Sequence, residues 1–367
     1  MSLIHKIALG LISGIGPRLA KNLLQYFGSA QDVFSTSAQE LMAVAGIGPA
    51  LAKTILQRDF MQQAKFECDF IERHDIQPLW IEDSTYPHRL QTCDDAPPLL
   101  YYKGNADLNN RYIISIVGTR NATSYGKRLC EDLIRELADL QPLIVSGLAY
   151  GIDVTAHRAA VSCGLPTIGL LGHGLDRIYP AAHREVASSM IENGGLLTEF
   201  PSQTKPERAH FPMRNRLIAG LADVTIVIEA GIKGGALITA EMANSYNRDV
   251  CAFPGSVDKT YSEGCNYLIK THRAHLIRHA EDLRYLMNWE KETPKQITQQ
   301  LSLLPPSLSK DEQKVFLYLQ QMEQATVDEI AMHLDWPQSK LAIVLLEMEM
   351  NEVILSLPGK IYRSMIS

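Results

Sequence analysis

A chain of 367 residues is long enough for two or three domains and a substantial hydrophobic core, and its 46% hydrophobic and 21% charged residues exclude wholesale disorder. A formal net charge of -6 excludes a surface that is basic throughout, so any contact with nucleic acid must come from a local cationic patch. The six cysteines, Cys68, Cys93, Cys130, Cys163, Cys251 and Cys265, form no CxxC pair and no His/Cys spacing typical of zinc. Scattered thiols of this kind fit a reduced, cytoplasmic protein. No signal-peptide pattern opens the chain and no apolar run is long enough to span a bilayer, so no membrane role is expected.

Residues 1–80 read as a helical domain punctuated by two similar phrases. Gly14-Ile15-Gly16-Pro17 precedes Leu19, Ala20, Leu23 and Leu24; Gly46-Ile47-Gly48-Pro49 precedes Leu51, Ala52, Ile55 and Leu56. Glycine permits a tight turn, proline suits the first turn of a helix, and the free N–H groups there can meet a phosphate. The tandem phrase resembles the helix-hairpin-helix motif. Charges in this segment roughly cancel, so the pair reads either as a DNA contact or as the frame of a small bundle.

Residues 81–292 alternate short apolar runs with helical stretches. Strands are expected at 113–117, 143–146, 167–171, 195–198, 224–228, 250–253 and 275–277, with helices at 126–140, 154–163, 184–192, 213–221, 236–246 and 267–271. Near-continuous Val/Ile/Leu strands separated by helices predict an α/β fold: an extended, Rossmann-like parallel sheet covered on both faces. Its ligand crevice should lie at the carboxyl ends of the strands. Residues 293–309, rich in Gln, Pro and Ser and containing Pro305-Pro306, read as a linker. Residues 310–367 then spell a winged helix: helices near 311–322, from Thr326 and over 338–351, and a hairpin of 353–357 and 361–363 turning at Pro358-Gly359. Thr326 and Glu329 have capping-box spacing. This tail carries about nine acids against five bases, so protein contact or simple capping is expected there rather than duplex reading.

The chemistry concentrates at the expected strand ends. Gly118, Thr119 and Arg120 follow the first core strand, and Ser146 and Gly147 end the next. Gly172-His173-Gly174 and Gly234-Gly235 follow later ones. A glycine at such a turn lets a phosphate lie against the backbone, and the following helix N-terminus favours an anion. The pattern is not G-x-G-x-x-G, so a dinucleotide fingerprint is absent. Arg208, Phe211, Arg214, Asn215 and Arg216 add guanidinium forks for phosphate and a ring on which an unpaired base can stack. No G-x-S-x-G elbow and no metal-ligand spacing accompanies the histidines, so no catalytic residue, metal or cofactor is expected. Glu199 and Glu229 could serve as paired carboxylates but read more simply as residues that order loops.

Taken together, Val117-Gly-Thr-Arg120, Ser146-Gly-Leu-Ala-Tyr-Gly-Ile-Asp153, Gly172-His-Gly-Leu-Asp176 with Tyr179-Pro180, Phe211-Pro-Met-Arg-Asn-Arg216 and Phe253-Pro-Gly255 resemble the DNA-processing protein A family (DprA, also called Smf). The resemblance implies a homodimeric mediator of natural transformation that binds single-stranded DNA and loads the recombinase RecA. It implies a binding pocket of Gly118, Thr119, Arg120, Arg208 and Phe211, with Arg214, Asn215 and Arg216 at the following motif positions. Arg208 stands where many members carry lysine, and Gly234-Gly235 where a Ser-Gly is common. A second reading is a nucleotide phosphoribohydrolase of the cytokinin-activating type, whose glycine-threonine loop ends in a glutamate comparable to Glu241. The chain lacks that loop's leading proline and its threonine spacing.

Overall fold

The computed structural model describes residues 3–289, 308–322, 324–351, 353–357 and 360–364. The chain divides into two compact units, Met1–Glu290 and Lys291–Ser367. The first is built on a nine-stranded sheet of β1 (Gln77–Trp80), β2 (Leu99–Gly104), β3 (Ile113–Val117), β4 (Leu143–Ser146), β5 (Thr167–Leu170), β6 (Gly195–Thr198), β7 (Val224–Val227), β8 (Asp249–Ala252) and β9 (His275–Leu276). Their spatial order is β1-β2-β6-β5-β4-β3-β7-β8-β9. From β6 to β9 every pairing is parallel, while β2 joins β6, and β1 joins β2, antiparallel.

Each strand expected at the sequence level is present to within a residue or so at its ends. The pair β1 and β2 is an addition to that expectation, and β1 begins inside the range expected to be helical. Pro78 is tolerated because β1 is the edge of the sheet, where a missing N–H breaks no interior ladder.

The parallel strands are buried on both faces. One face packs Ile114, Ile116, Ile144 and Ile226 against the helices Ser124–Glu136, Ile152–Ser162 and Ala280–Met287. The other packs Val117, Val145 and Val227 with helices His210–Leu221 and Gly235–Ser245. That second core is continuous with the N-terminal helices, running from Ile7 through Phe70 and Leu100 to Leu268. From β3 the chain winds outward through β4, β5 and β6, then returns to place β7 on the opposite side of β3. The strand order therefore reverses between β3 and β7, and open α/β sheets have their crevice at the carboxyl end of such a reversal.

In the N-terminal region Gly16 and Gly48 occupy the N-caps of helices Pro17–Phe27 and Pro49–Gln57, with proline in the first turn of each. Gly14 and Gly46 sit at φ of 90° and 91°, which a side chain rarely adopts. A Cβ on Gly46 would lie 3.2 Å from Leu19, and one on Gly14 would lie 3.5 Å from Leu51. Each hairpin's glycine thus receives the leucine of the other's second helix. The repeat builds a pseudo-symmetric packed frame.

The second unit holds helices Lys310–Met322, Val327–Leu334 and Gln338–Met350, with β10 (Gln324–Thr326), β11 (Ile354–Leu357) and β12 (Ile361–Ser364) in the order β10-β12-β11. The Thr326/Glu329 capping box forms in full. Phe316, Leu319, Ile330, Leu341, Leu345 and Met348 make the core. The architecture is a winged helix with one strand, β10, beyond the expected hairpin. Apart from residues 308 and 309, the expected linker lies outside the described residues, as does the Pro358-Gly359 turn.

Candidate nucleic-acid interface

The carboxyl ends of the strands open into a cleft of about 340 Å³ at the reversal between β3 and β7. The turn after β3 contributes Gly118, Thr119, Arg120 and Asn121. Helix His210–Leu221 contributes Arg214, Asn215 and Ile218, and the loop after β7 contributes Ala230, Gly231, Gly234 and Gly235. Ala149 and Asp153, from the segment after β4, complete the wall. Loops more than a hundred residues apart meet here because parallel strands place all their carboxyl ends on one rim.

Helix His210–Leu221 opens with His-Phe-Pro, and Pro212 is accommodated because the first turn needs no N–H for intrahelical bonding. Residues 211, 214, 215 and 218 then share the face turned toward the cleft, as the helical period requires. Phe211 stands at the mouth, half-buried. The guanidinium carbon of Arg120 lies 5.6 Å from its ring centroid and that of Arg214 lies 6.0 Å away. The Tyr179 ring, 49% exposed, lies 6.2 Å from it at 36°. Arg120 and Arg208 are exposed, Arg208 in the turn just ahead of the helix. A ring flanked by cations on a concave rim can stack a base and hold its phosphate.

The arginines of the run part company. Arg214 is 4% exposed, donates to the carbonyl of Leu170 at 3.0 Å, and leaves its Nε unpartnered among the described residues. Burial lowers its pKa to about 10, with Asp153 holding it up and Arg120 pushing it further down. Burial raises the pKa of Asp153, against the pull of Arg214 and of the backbone N–H groups of Ala149 and Gly147. Gly147 is required between them: a Cβ there would fall 1.7 Å from Arg214 Nη1 and 2.7 Å from Asp153 Oδ2. Arg214 is therefore a fixed charge in the floor rather than a mobile fork for phosphate.

Arg216 departs further from the sequence-level expectation. Two positions along a helix point to different faces, and its guanidinium is spent on Glu199 and the carbonyl of Asp95. Arg216 does not line the cleft. Nor does the hydroxyl of Ser146, which is fully buried and donates to the carbonyl of Ile116 at 2.6 Å. Gly147 underlies Arg214 instead of facing outward. These three residues support the site without bordering it. Gly118, Thr119, Arg120, Arg214 and Asn215 border it, with Phe211 at its mouth.

The two carboxylates order loops. Glu229 accepts from the N–H of Thr123 at 2.9 Å and from its hydroxyl at 2.6 Å, fastening the loop after β7 to the turn that carries Arg120. Glu199 pairs with Arg216, both side chains 9% exposed. Glu241 faces Arg273 at 2.6 Å and is absent from the cleft wall, so the loop does not deliver the glutamate that the phosphoribohydrolase reading requires. Among the described residues no cluster of His, Cys, Asp or Glu could hold a metal ion, and no helix is long and apolar enough to cross a membrane. Tyr179 escaped the sequence-level site, because only the fold brings the loop after β5 beside Phe211.

The family model for DNA recombination-mediator protein A matches residues 77–288. Those for a SAM-like helix-hairpin-helix tandem and for the DprA winged helix domain match residues 7–58 and 299–360. Protein Smf of Synechocystis is 38% identical over 271 residues, covering 72% of this chain and 67% of its own. DNA processing protein DprA of Streptococcus pneumoniae is 43% identical over 190 residues, covering 52% and 67%. A crystal structure of the Streptococcus pneumoniae protein superposes with a TM-score of 0.68 at 34% identity, covering 77% of this chain and 97% of that one. A structure concerned with the single-stranded DNA binding mode of DNA processing protein A from Helicobacter pylori superposes with a TM-score of 0.53 at 31% identity, covering 58% and 96%. With its sheet domain matched from end to end and both flanking modules recognised, this chain belongs to the DNA recombination-mediator protein A (DprA/Smf) family.

Proposed function

We propose that this protein is a DNA-processing factor that holds single-stranded DNA across the cleft at the β3/β7 reversal. The observation that carries the reading is the grouping of Arg120, Arg214 and Tyr179 around the half-buried Phe211 ring, on the rim of an otherwise acidic molecule. One base stacks on Phe211, a contact of about 1–3 kcal/mol that accepts any base. Neighbouring phosphates meet the exposed guanidinium groups of Arg120 and Arg208, over the fixed charge of Arg214. The family relation to a protein whose single-strand binding has been described supports the same ligand.

Phe211→Ala and Arg120→Ala are each expected to weaken binding of a single-stranded oligonucleotide about tenfold or more, leaving the melting temperature unchanged. A gel-shift titration at moderate salt checks this, and wild-type affinity in both variants removes the site. Homodimerisation and transfer of the strand to RecA extend the proposal on the family relation alone. Their checks are sedimentation of the free protein, and RecA filament formation on strands pre-coated with a single-strand-binding protein. Monomeric protein, or filaments forming no faster in its presence, rejects each in turn.

A further inference from the structure

Residues 199–209 connect β6 to helix His210–Leu221, carry the exposed Arg208 and lead directly into Phe211, yet they are fastened from outside the cleft. The N–H of Gln203 donates to Asp176 Oδ1 at 2.9 Å, with Gln203 at a φ of 65°. The second fastening comes from a distant part of the chain. Ser202 donates its N–H to Glu67 Oε1 at 2.9 Å and its hydroxyl to Glu67 Oε2 at 2.5 Å. Glu67 lies on helix Met61–Arg73 in the N-terminal helical region.

That helix buries Ala64, Glu67, Phe70 and Ile71, so a carboxylate occupies the middle of its core-facing stripe. Glu67 is 3% exposed and Ser202 is 7% exposed. Burying a carboxylate is costly unless it is paired or hydrogen-bonded. Among the described residues no Lys, Arg or His forms an ion pair with Glu67, and both of its oxygens are engaged by Ser202. Burial raises its pKa, with the Ser202 bonds opposing the rise and Asp176 adding to it. An apolar side chain would fill the stripe at lower cost. What the carboxylate adds is direction: two convergent bonds set the position and orientation of one residue of the loop.

We propose that Glu67 is a positioning residue for strand binding, by which the helical region sets the path of the loop that carries Arg208 and leads into Phe211. The proposal rests on the reading of Phe211 as a strand contact. It gives the N-terminal module a part in binding that requires no contact with DNA from its glycine turns.

The test compares affinities of the full chain for a fluorescent oligothymidylate in Glu67→Ala, Glu67→Gln, Ser202→Ala and Phe211→Ala, and in Glu67→Ala combined with Phe211→Ala, with thermal melting of each. Glu67→Ala and Ser202→Ala are expected to weaken binding roughly five- to tenfold, the scale of losing one or two charge-assisted hydrogen bonds. Glu67→Gln should recover part of the loss, because its amide oxygen still accepts one bond from Ser202. In the Phe211→Ala background the loss from Glu67→Ala should shrink to about two- to threefold, what remains being the positioning of Arg208. Wild-type affinity in Glu67→Ala and Ser202→Ala beside a weak Phe211→Ala overturns the positioning role and leaves the site standing. An undiminished loss in the double variant also overturns it, by exposing a general loss of stability. Unchanged binding in Phe211→Ala removes the strand-binding reading and this proposal with it. Where Glu67→Ala does not fold, Glu67→Gln and Ser202→Ala, single and in the Phe211→Ala background, decide the same question.

Discussion

The three arginines of the 208–216 run look interchangeable in the sequence and take three different roles in the fold. Arg208 is exposed, Arg214 is a buried cation beside Asp153, and Arg216 is locked to Glu199. Residue type alone offers all three equally as phosphate binders. The division between binding and support was not legible there, because it depends on which helical face meets the sheet. Helical spacing does separate Arg214 from Arg216, which cannot share a face. It does not say which of the two faces is the cleft. The Asp153–Arg214 pair carries a prediction at this scale. Asp153→Ala removes the nearby counter-charge of a buried guanidinium and should destabilise the protein by about 1–3 kcal/mol. Urea denaturation checks it; a loss below about 1 kcal/mol would mean that the Leu170 carbonyl alone suffices for Arg214.

Among the elements, the site is made by the loops that leave β3 and β7, and Glu229 joins them. Its carboxylate caps the start of helix Ser124–Glu136 through Thr123, and its own carbonyl accepts from the N–H of Thr119 at 2.7 Å. Glu229→Ala is expected to cost about 1–3 kcal/mol of stability through unsatisfied donors. It should also loosen the turn bearing Arg120 and weaken single-strand binding. Paired urea and fluorescence titrations test both effects, and stability lost with unchanged affinity would separate the turn from the ligand. Strands β3 to β8 were legible because each is a continuous apolar run between helical stretches, the signature of burial on both faces. Strands β1, β2 and β10 were not: β1 is four residues with a proline, β10 is three residues, and all three are antiparallel additions defined by the partner they pair with. Glu67 left a signal that periodicity exposes, an acid in the middle of a core-facing stripe. Its partner, Ser202, had no such mark.

For the whole molecule, whose net charge is -6, the salt dependence of the proposed binding should follow from the local cations and not from the total charge. Arg120 lines the cleft and Arg208 stands exposed just ahead of its helix, so with about two phosphates neutralised the slope of log K against log[salt] should be roughly -1.4 for a single strand. A truncation ending at Trp289 should keep the affinity within about twofold, because the removed segment carries more acids than bases. A steeper slope for the full chain than for the truncation would place a DNA contact in the winged-helix unit. By itself the amino-acid order determined the local features: apolar runs of period suited to buried strands, glycine and proline at helix starts, a capping box at Thr326, and side chains able to hold phosphate and stack a base. These follow from the preferences of neighbouring residues, which no distant contact needs to supply. Only the tertiary structure decided that the turn after β3 faces Phe211, that Arg216 turns to Glu199, and that Ser202 meets Glu67. Each of those joins residues far apart in sequence, and their pairing is set by strand order and helix facing rather than by local preference.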